Sequence, residues 1–464
     1  MINYYTLITL IFSISSVLYY YVVLYFKYTN FFLLEILLFV TYSYVFLSSM
    51  KIFRNWLHPY IIFLGTFFIF NLGVVFFDLI NSANFGFTEQ VWYHGYQFSD
   101  FIKTKILIIL IIFLLFSHLG ALIAFSKYKN VSKNIFISYN IVYGRKISFL
   151  IMIVGLMFFI LKIYLYAQVI FTQGYNLIYS YSLPFLIRLL DDFFYIGFIF
   201  LLMSIPQRKI AKRLITLFLL ISSFFLLIGM RGAFFTQMLT IMSFYSILYG
   251  YRINIFKVIL IVILIVFISQ IILILRYDIS QIKDINFISF LYFFSQQGIS
   301  INILGYTLAF ENDFIGLSQG IAHLIAPIKT FLLSILGFDL SNNINTPNLT
   351  GLLSHQLAFF FDPDDYLSGG GVGSNFIAEL FSIDNIIFFI LGSFFYGFFI
   401  IFIVHKLLSK KYGVIIFLLV LPRIFFAPRD NFFGFIIPLL YGFLIYYCYI
   451  ILLKSIRRML KYEN

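Results

Sequence analysis

The sequence predicts an all-α, polytopic integral membrane protein of about 12 transmembrane helices with one large periplasmic loop, and three observations carry this. Apolar runs of about 20 residues, the length that crosses a bilayer core, recur from end to end of the 464 residues. Hydrophobic residues make up 62% of the chain and charged ones 11%, too little polar surface to coat a soluble globule of this size. The charges also segregate. If the first crossing starts inside, the segments that become cytoplasmic are Lys51/Arg54, Lys127 to Lys146, Arg208 to Arg213, Arg252/Lys257, Lys406 to Lys411 and Lys454 to Lys461. They hold 20 of the 31 Lys and Arg, and only one of the 18 acidic residues, Glu463, lies with them, just past the last segment. That asymmetry orients the chain with both termini inside and its polar chemistry outside.

The first apolar run begins at Tyr4, with no basic start and no small-residue cleavage site. It therefore reads as a retained span over 5–26, not a signal peptide. Further spans are predicted at 31–50, 59–80, 104–126, 147–170, 186–204, 213–229, 233–250, 257–275, 384–404, 412–427 and 431–452. Lys27–Asn30, Met230–Gly232 and Pro428–Asp430 are near-loopless outer turns. The whole chain, 1–464, reads as a single transmembrane domain without an internal repeat.

The stretch 276–384, between the ninth and tenth spans, is the large periplasmic loop. A structureless loop of that length is improbable. Phe287–Phe310 and Ile315–Phe338 are apolar but interrupted by Gln296, Gln297, His323, Pro327 and Lys329. They are expected as amphipathic surface helices or as re-entrant segments buried by protein. One further pair of crossings would preserve parity and give fourteen spans. Asn342–Ser354 reads as loop, Asp362-Pro-Asp-Asp365 as a turn, and Ser368–Ser374 as a glycine run ahead of a helix with Ser374 as N-cap.

Composition excludes several functions. The net charge of +13 sits where it faces anionic headgroups, so it does not signal nucleic-acid binding. Cys448 is the only cysteine, which rules out a disulfide within the chain and a Cys-based metal site. No HExxH or paired histidine spacing occurs, and Asp-Pro-Asp-Asp is a common turn composition, so neither metal nor cofactor is expected.

Arg188, Arg231, Arg276 and Arg429 sit where spans meet the outer surface, a position the orientation rule disfavours for cations. Local partners are one account: Asp191 or Asp192 for Arg188, Asp278 for Arg276, Asp430 for Arg429. The other is binding of a diphosphate at headgroup level, because guanidinium groups grip phosphate bidentately and stay charged. Arg231 has no carboxylate near it in sequence, which favours function there. The glycine run can bring backbone N–H groups of Gly371, Gly373 and Ser374 against phosphate, or it can be a flexible link. Glu379 and His355 are the candidate general bases for a sugar hydroxyl, with Asp362, Asp364 and Asp365 behind them. Lys162 lies mid-span and needs a partner or a wet cavity.

Taken together, the chain resembles the Wzy-type polymerases of bacterial O-antigens and related surface polysaccharides. The resemblance rests on the topology and on Gly369-Gly-Gly-Val-Gly-Ser-Asn-Phe-Ile-Ala-Glu379, similar to a glycine-rich segment ending in Ala-Glu in some of these families. Arg231-Gly232 after a span looks similar too, and the aromatic, Ile- and Asn-rich composition fits their AT-biased gene clusters. The resemblance implies a glycosyltransferase of the bacterial inner membrane, acting in O-antigen and lipopolysaccharide biosynthesis. Its donor and acceptor would be undecaprenyl-diphosphate-linked oligosaccharides. Its partners would be membrane lipids, a chain-length regulator and a flippase. A GT-C-like glycosyltransferase architecture is compatible with the span pattern. The rivals are a lipid-linked-sugar glycosyltransferase or ligase, and a flippase or other transporter. The first typically places paired acidic residues in the first outer loop, where this chain has only Glu89 and Asp100. Transporters favour polar sites at the midplane, whereas polarity here gathers at one face.

Overall fold

The computed structural model describes residues 2–27, 30–80, 96–129, 141–173, 183–204, 207–254, 297–410 and 412–462, with a few positions between 181 and 267 besides. Among them the chain is all helical, without strands. In order, the helices are α1 (Ile2–Phe26), α2 (Phe31–Phe53), α3 (Pro59–Ile80), α4 (Asp100–Tyr128), α5 (Ile141–Gln173), α6 (Phe185–Leu190), α7 (Asp192–Met203) and α8 (Arg208–Ser222). There follow α9 (Arg231–Tyr249), α10 (Ser300–Ala309), α11 (Leu317–Ile335), α12 (Leu353–Phe361), α13 (Phe376–Phe381), α14 (Ile386–Phe402), α15 (Gly413–Phe426) and α16 (Ile436–Tyr462). Among the described residues, seven helices are long and apolar enough to cross a membrane: α1 to α5, α14 with its continuation to Leu407, and α16. Helices stand at the other expected places too, but they are shorter or broken, as at Asp191 between α6 and α7. Most of 257–275 lies outside the described residues.

The chain divides into two compact units. The first comprises Met1–Asn130, Arg252–Phe402 and Arg423–Gly434. Its centre is α4, which is apolar on every side and therefore buried on every side, packed by α1, α2 and α14. Contact with α14 is at backbone distance. A Cβ on Gly397 would fall 1.7 Å from the Ser117 carbonyl oxygen, and one on Gly120 2.0 Å from that of Phe394. Small residues let helices approach this closely where water supplies no hydrophobic drive. Within this core, His118 Nε2 lies 2.7 Å from Ser48 Oγ. Helix α3 starts on Pro59, with His58 Nδ1 accepting from Tyr60 N, and widens to a π-turn over Phe68–Leu72.

The second unit comprises Val131–Tyr251, Ile403–Pro422 and Phe435–Asn464. Helices α5 and α7 pack through Gly155 and Gly197, again at distances a side chain would not allow. Lys162 meets its requirement for a partner by bonding the buried Asp191 carboxylate, 2.5 Å away. Asp191 thus pairs with Lys162 of α5. The Ser148 and Tyr449 hydroxyls, 2.8 Å apart, tie α5 to α16.

Of the long loop, residues 297–384 are described. Of the two expected apolar helices, Phe287–Phe310 is described only in its second half, α10 and its approach, and α10 is buried throughout. The other, Ile315–Phe338, is α11. Asn342–Ser354 is not plain loop. Pro347 presets the first turn of a short helix over Thr346–Thr350, and Asn343 Oδ1 accepts from Asn345 N and Thr346 N. The Asp-Pro-Asp-Asp turn becomes one helical turn, Pro363–Leu367, capped by Asp362 through Asp365 N at 2.9 Å.

Candidate active site

Four segments distant in sequence meet in the first unit. The π-turn of α3 presents Asn71, the start of α13 presents Asn375, α10 begins at Ser300, and a 3₁₀ turn over Ala427–Arg429 follows α15. Asn375 Nδ2 donates to Asn71 Oδ1 at 2.6 Å and to Ser300 O at 2.8 Å. Its own Oδ1 accepts from Ile377 N at 2.9 Å, so Asn375 is the N-cap of α13, not Ser374. Asn71 Nδ2 donates in turn to Pro428 O at 3.3 Å. Both asparagines are 0% exposed. Single-turn π-bulges often mark functional positions, and this one aims an amide into the junction.

Against this junction lies a small cleft whose walls include Ser300, Asn302, Tyr306, Val372, Gly373 and Arg429. Among the described residues lining it, Arg429 is the charged one. Its Nη1 donates to Gln297 Oε1 at 2.9 Å, and its guanidinium stands 6.0 Å from the centre of the Phe70 ring. Gly373 packs on the stem: a Cβ there would lie 3.5 Å from Arg429 Cγ. The carboxylate of the neighbouring Asp430 turns to Arg423, with 3.6 Å between Oδ2 and Nη1. Burial raises the Asp430 carboxyl above its ordinary range, and Arg423 offsets part of that.

Glu379 is enclosed beneath the cleft at 0% exposure. Oε1 accepts from Ser374 Oγ at 2.7 Å and Asn431 Nδ2 at 2.6 Å, and Oε2 accepts from Phe432 N at 2.8 Å. Burial pushes its carboxyl up to about 8 although all three donors favour the carboxylate. Glu379 therefore clamps the end of the glycine run to the segment that follows Arg429.

The glycine run has a fixed shape. Gly369 has φ +99°, where a side chain would be strained, and Gly370 passes so close to Asp365 that a Cβ would meet Oδ2 at 2.0 Å. Asn342 Nδ2 donates to Gly370 O at 2.8 Å and Tyr366 O at 2.9 Å. Gly371 faces open space. His355, on α12, is half-buried, its Nδ1 2.7 Å from the Tyr366 hydroxyl. Burial lowers its pKa below the ordinary imidazole value. His323 is a connector: Nδ1 lies 3.0 Å from Ser382 Oγ and Nε2 2.8 Å from Gln356 Oε1.

The predicted arginines fall in different places. Arg231 is the first residue of α9 and Arg188 lies in α6, both in the second unit. Arg276 lies outside the described residues. Asn71, Asn302, Asn375 and Asn431 were not singled out from sequence. Asn71 carried a signal, as an amide inside the apolar run Ile69–Phe77. Gln297 carried one too, as half of a Gln-Gln pair in an apolar stretch.

The family model described as O-antigen polysaccharide polymerase Wzy matches residues 4–461. No curated protein and no solved structure matches the chain.

Proposed function

Because the chain belongs to the O-antigen polysaccharide polymerase Wzy family, we propose that it polymerises undecaprenyl-diphosphate-linked oligosaccharide repeat units at the periplasmic face of the bacterial inner membrane. The growing glycan passes from its lipid diphosphate to the non-reducing end of a new lipid-linked unit. A sugar hydroxyl of the acceptor attacks the anomeric carbon of the donor. A new glycosidic C–O bond forms, the C–O bond to diphosphate breaks, and the lipid diphosphate leaves with the electron pair. The hydroxyl proton passes to a base. The donor is already activated, so the chemistry calls for no nucleotide.

The observation that carries this reading is Arg429, fixed by Gln297 and Gly373 in a cleft with otherwise neutral walls. A leaving diphosphate gathers negative charge, and a rigid guanidinium stabilises that charge without reorganising. Gly371, Gly373 and Ser374 bring backbone N–H groups to the same lip. Arg188, Arg231 and Arg276 are proposed as further phosphate contacts. His355 is the proposed base. Its lowered pKa keeps the ring neutral at neutral pH, and an Nδ1–H donated to Tyr366 would leave Nε2 to accept the proton. Glu379 acts as a positioning residue, since its oxygens are occupied by Ser374, Asn431 and Phe432.

Complementation tests this. In a strain lacking its own polymerase, the wild-type chain should restore a ladder of polymer lengths, and Arg429→Ala should leave single repeat units. A normal ladder from Arg429→Ala would remove this cleft from the mechanism.

A further inference from the structure

Helix α11 is built inside out. Its buried face carries Gly320, His323, Ala326 and Pro327, with His323 bonded to Ser382 and Gln356. Its opposite face carries Leu317, Ile321, Ile325, Leu332 and Ile335, at 61%, 47%, 48%, 54% and 62% exposure. These recur at helical spacing and line up on one side. A helix on the wet surface of a soluble protein has the reverse arrangement, apolar inward and polar outward. Lys329 stands exposed near the rim of this face, where its stem can run along apolar surface to a headgroup.

The start of α11 is also fixed in depth. Gly316 N donates to Ser382 O at 2.8 Å. Gly320 lies so close to Ile383 that a Cβ would meet Ile383 Cα at 2.4 Å. Three residues on, Ile386 opens α14, which is long and apolar enough to span and exposes Ile387, Phe388 and Leu391 at that end. The apolar face of α11 therefore begins at the level where a spanning helix leaves lipid.

We propose that α11 is an in-plane membrane helix, its Leu317–Ile321–Ile325–Leu332 face seated among the acyl chains of the adjacent leaflet and its His323 face holding the loop at headgroup depth. The lipid seat and the candidate site are then joined, because Ser382 Oγ donates to Glu379 O at 2.8 Å. The inference stands whether or not the reaction proposed above is the right one.

The single native cysteine makes the test direct. In a Cys448→Ser background, Ile325→Cys and Leu332→Cys carry a nitroxide label in full-length protein. The protein is reconstituted in vesicles of phosphatidylethanolamine and phosphatidylglycerol. Asp364→Cys serves as an exposed control. Both α11 labels should collide with oxygen and be shielded from a water-soluble nickel chelate, while the control label meets the chelate freely. Free chelate access at 325 and 332 would put the face in water and overturn the proposal. Shielding from both reagents would mean that protein, such as a second copy of the chain, covers it, and would equally overturn it.

Discussion

On the proposed reaction, Arg429 supplies chemistry to the cleft and Asn375 supplies geometry. Arg429→Lys keeps the charge but loses the planar fork that reaches Gln297 while presenting donors to phosphate. Turnover should fall at least about 10-fold, since a hydrogen bond to a charged group contributes ~1.5 kcal/mol or more. A thermal unfolding curve unchanged from wild type would show that the loss is not one of folding. Asn375→Ala strips partners from Asn71 Oδ1, Ser300 O and Ile377 N. Each buried group left unsatisfied costs about 1–3 kcal/mol, so this variant should lower the unfolding temperature before any effect on turnover is measured. Glu379 gives a pH dependence. Its carboxyl, ordinarily near 4.5, rises to about 8 in the fold, so folding favours the protonated form. Its contribution is fully present below 4.5 and is lost as pH rises through about 8. Glu379→Gln should flatten that decline while starting from lower stability, because an amide offers one acceptor oxygen where three donors converge. A decline as steep in the variant would assign the pH dependence to another group.

At the scale of elements, the crossing of α4 and α14 reverses a familiar preference. Alanine normally stabilises a helix relative to glycine by up to about 1 kcal/mol. At Gly397 and Gly120 the added Cβ would overlap the Ser117 and Phe394 carbonyl oxygens. Gly397→Ala should therefore cost about 1–3 kcal/mol or more, read as a lower unfolding temperature in detergent. These helices were legible in sequence because spanning needs only length and hydropathy, and Asp100–Tyr128 satisfies both on every face. What sequence did not yield was the use of particular polar atoms. Ser374 looked like the cap of α13, but its hydroxyl is taken by Glu379, and Asn375 caps instead. The Asn342–Ser354 stretch looked like loop because its composition is polar. Pro347 and Asn343 nevertheless close a helical turn there.

At the scale of the whole molecule, the charge asymmetry is the sequence's argument for chemistry at one face. The stretch 276–384 was marked out in the sequence by its length and its glycine run. The cleft was not, because neutral amides far apart in sequence build it. Asn71 and Asn375 are 304 positions apart, and Asn71 reaches Pro428 across 357. No local pattern records such a pairing, whereas charges announce themselves singly. On the proposed reaction, this chain joins glycan units by displacing a lipid diphosphate. The most direct measurement uses the purified chain in liposomes supplied only with undecaprenyl-diphosphate-linked repeat units. Chain length and released undecaprenyl diphosphate are followed together. One lipid diphosphate should be released for each linkage formed, with no nucleotide sugar added. Chain extension without that release, or extension only when a nucleotide sugar is present, would contradict it.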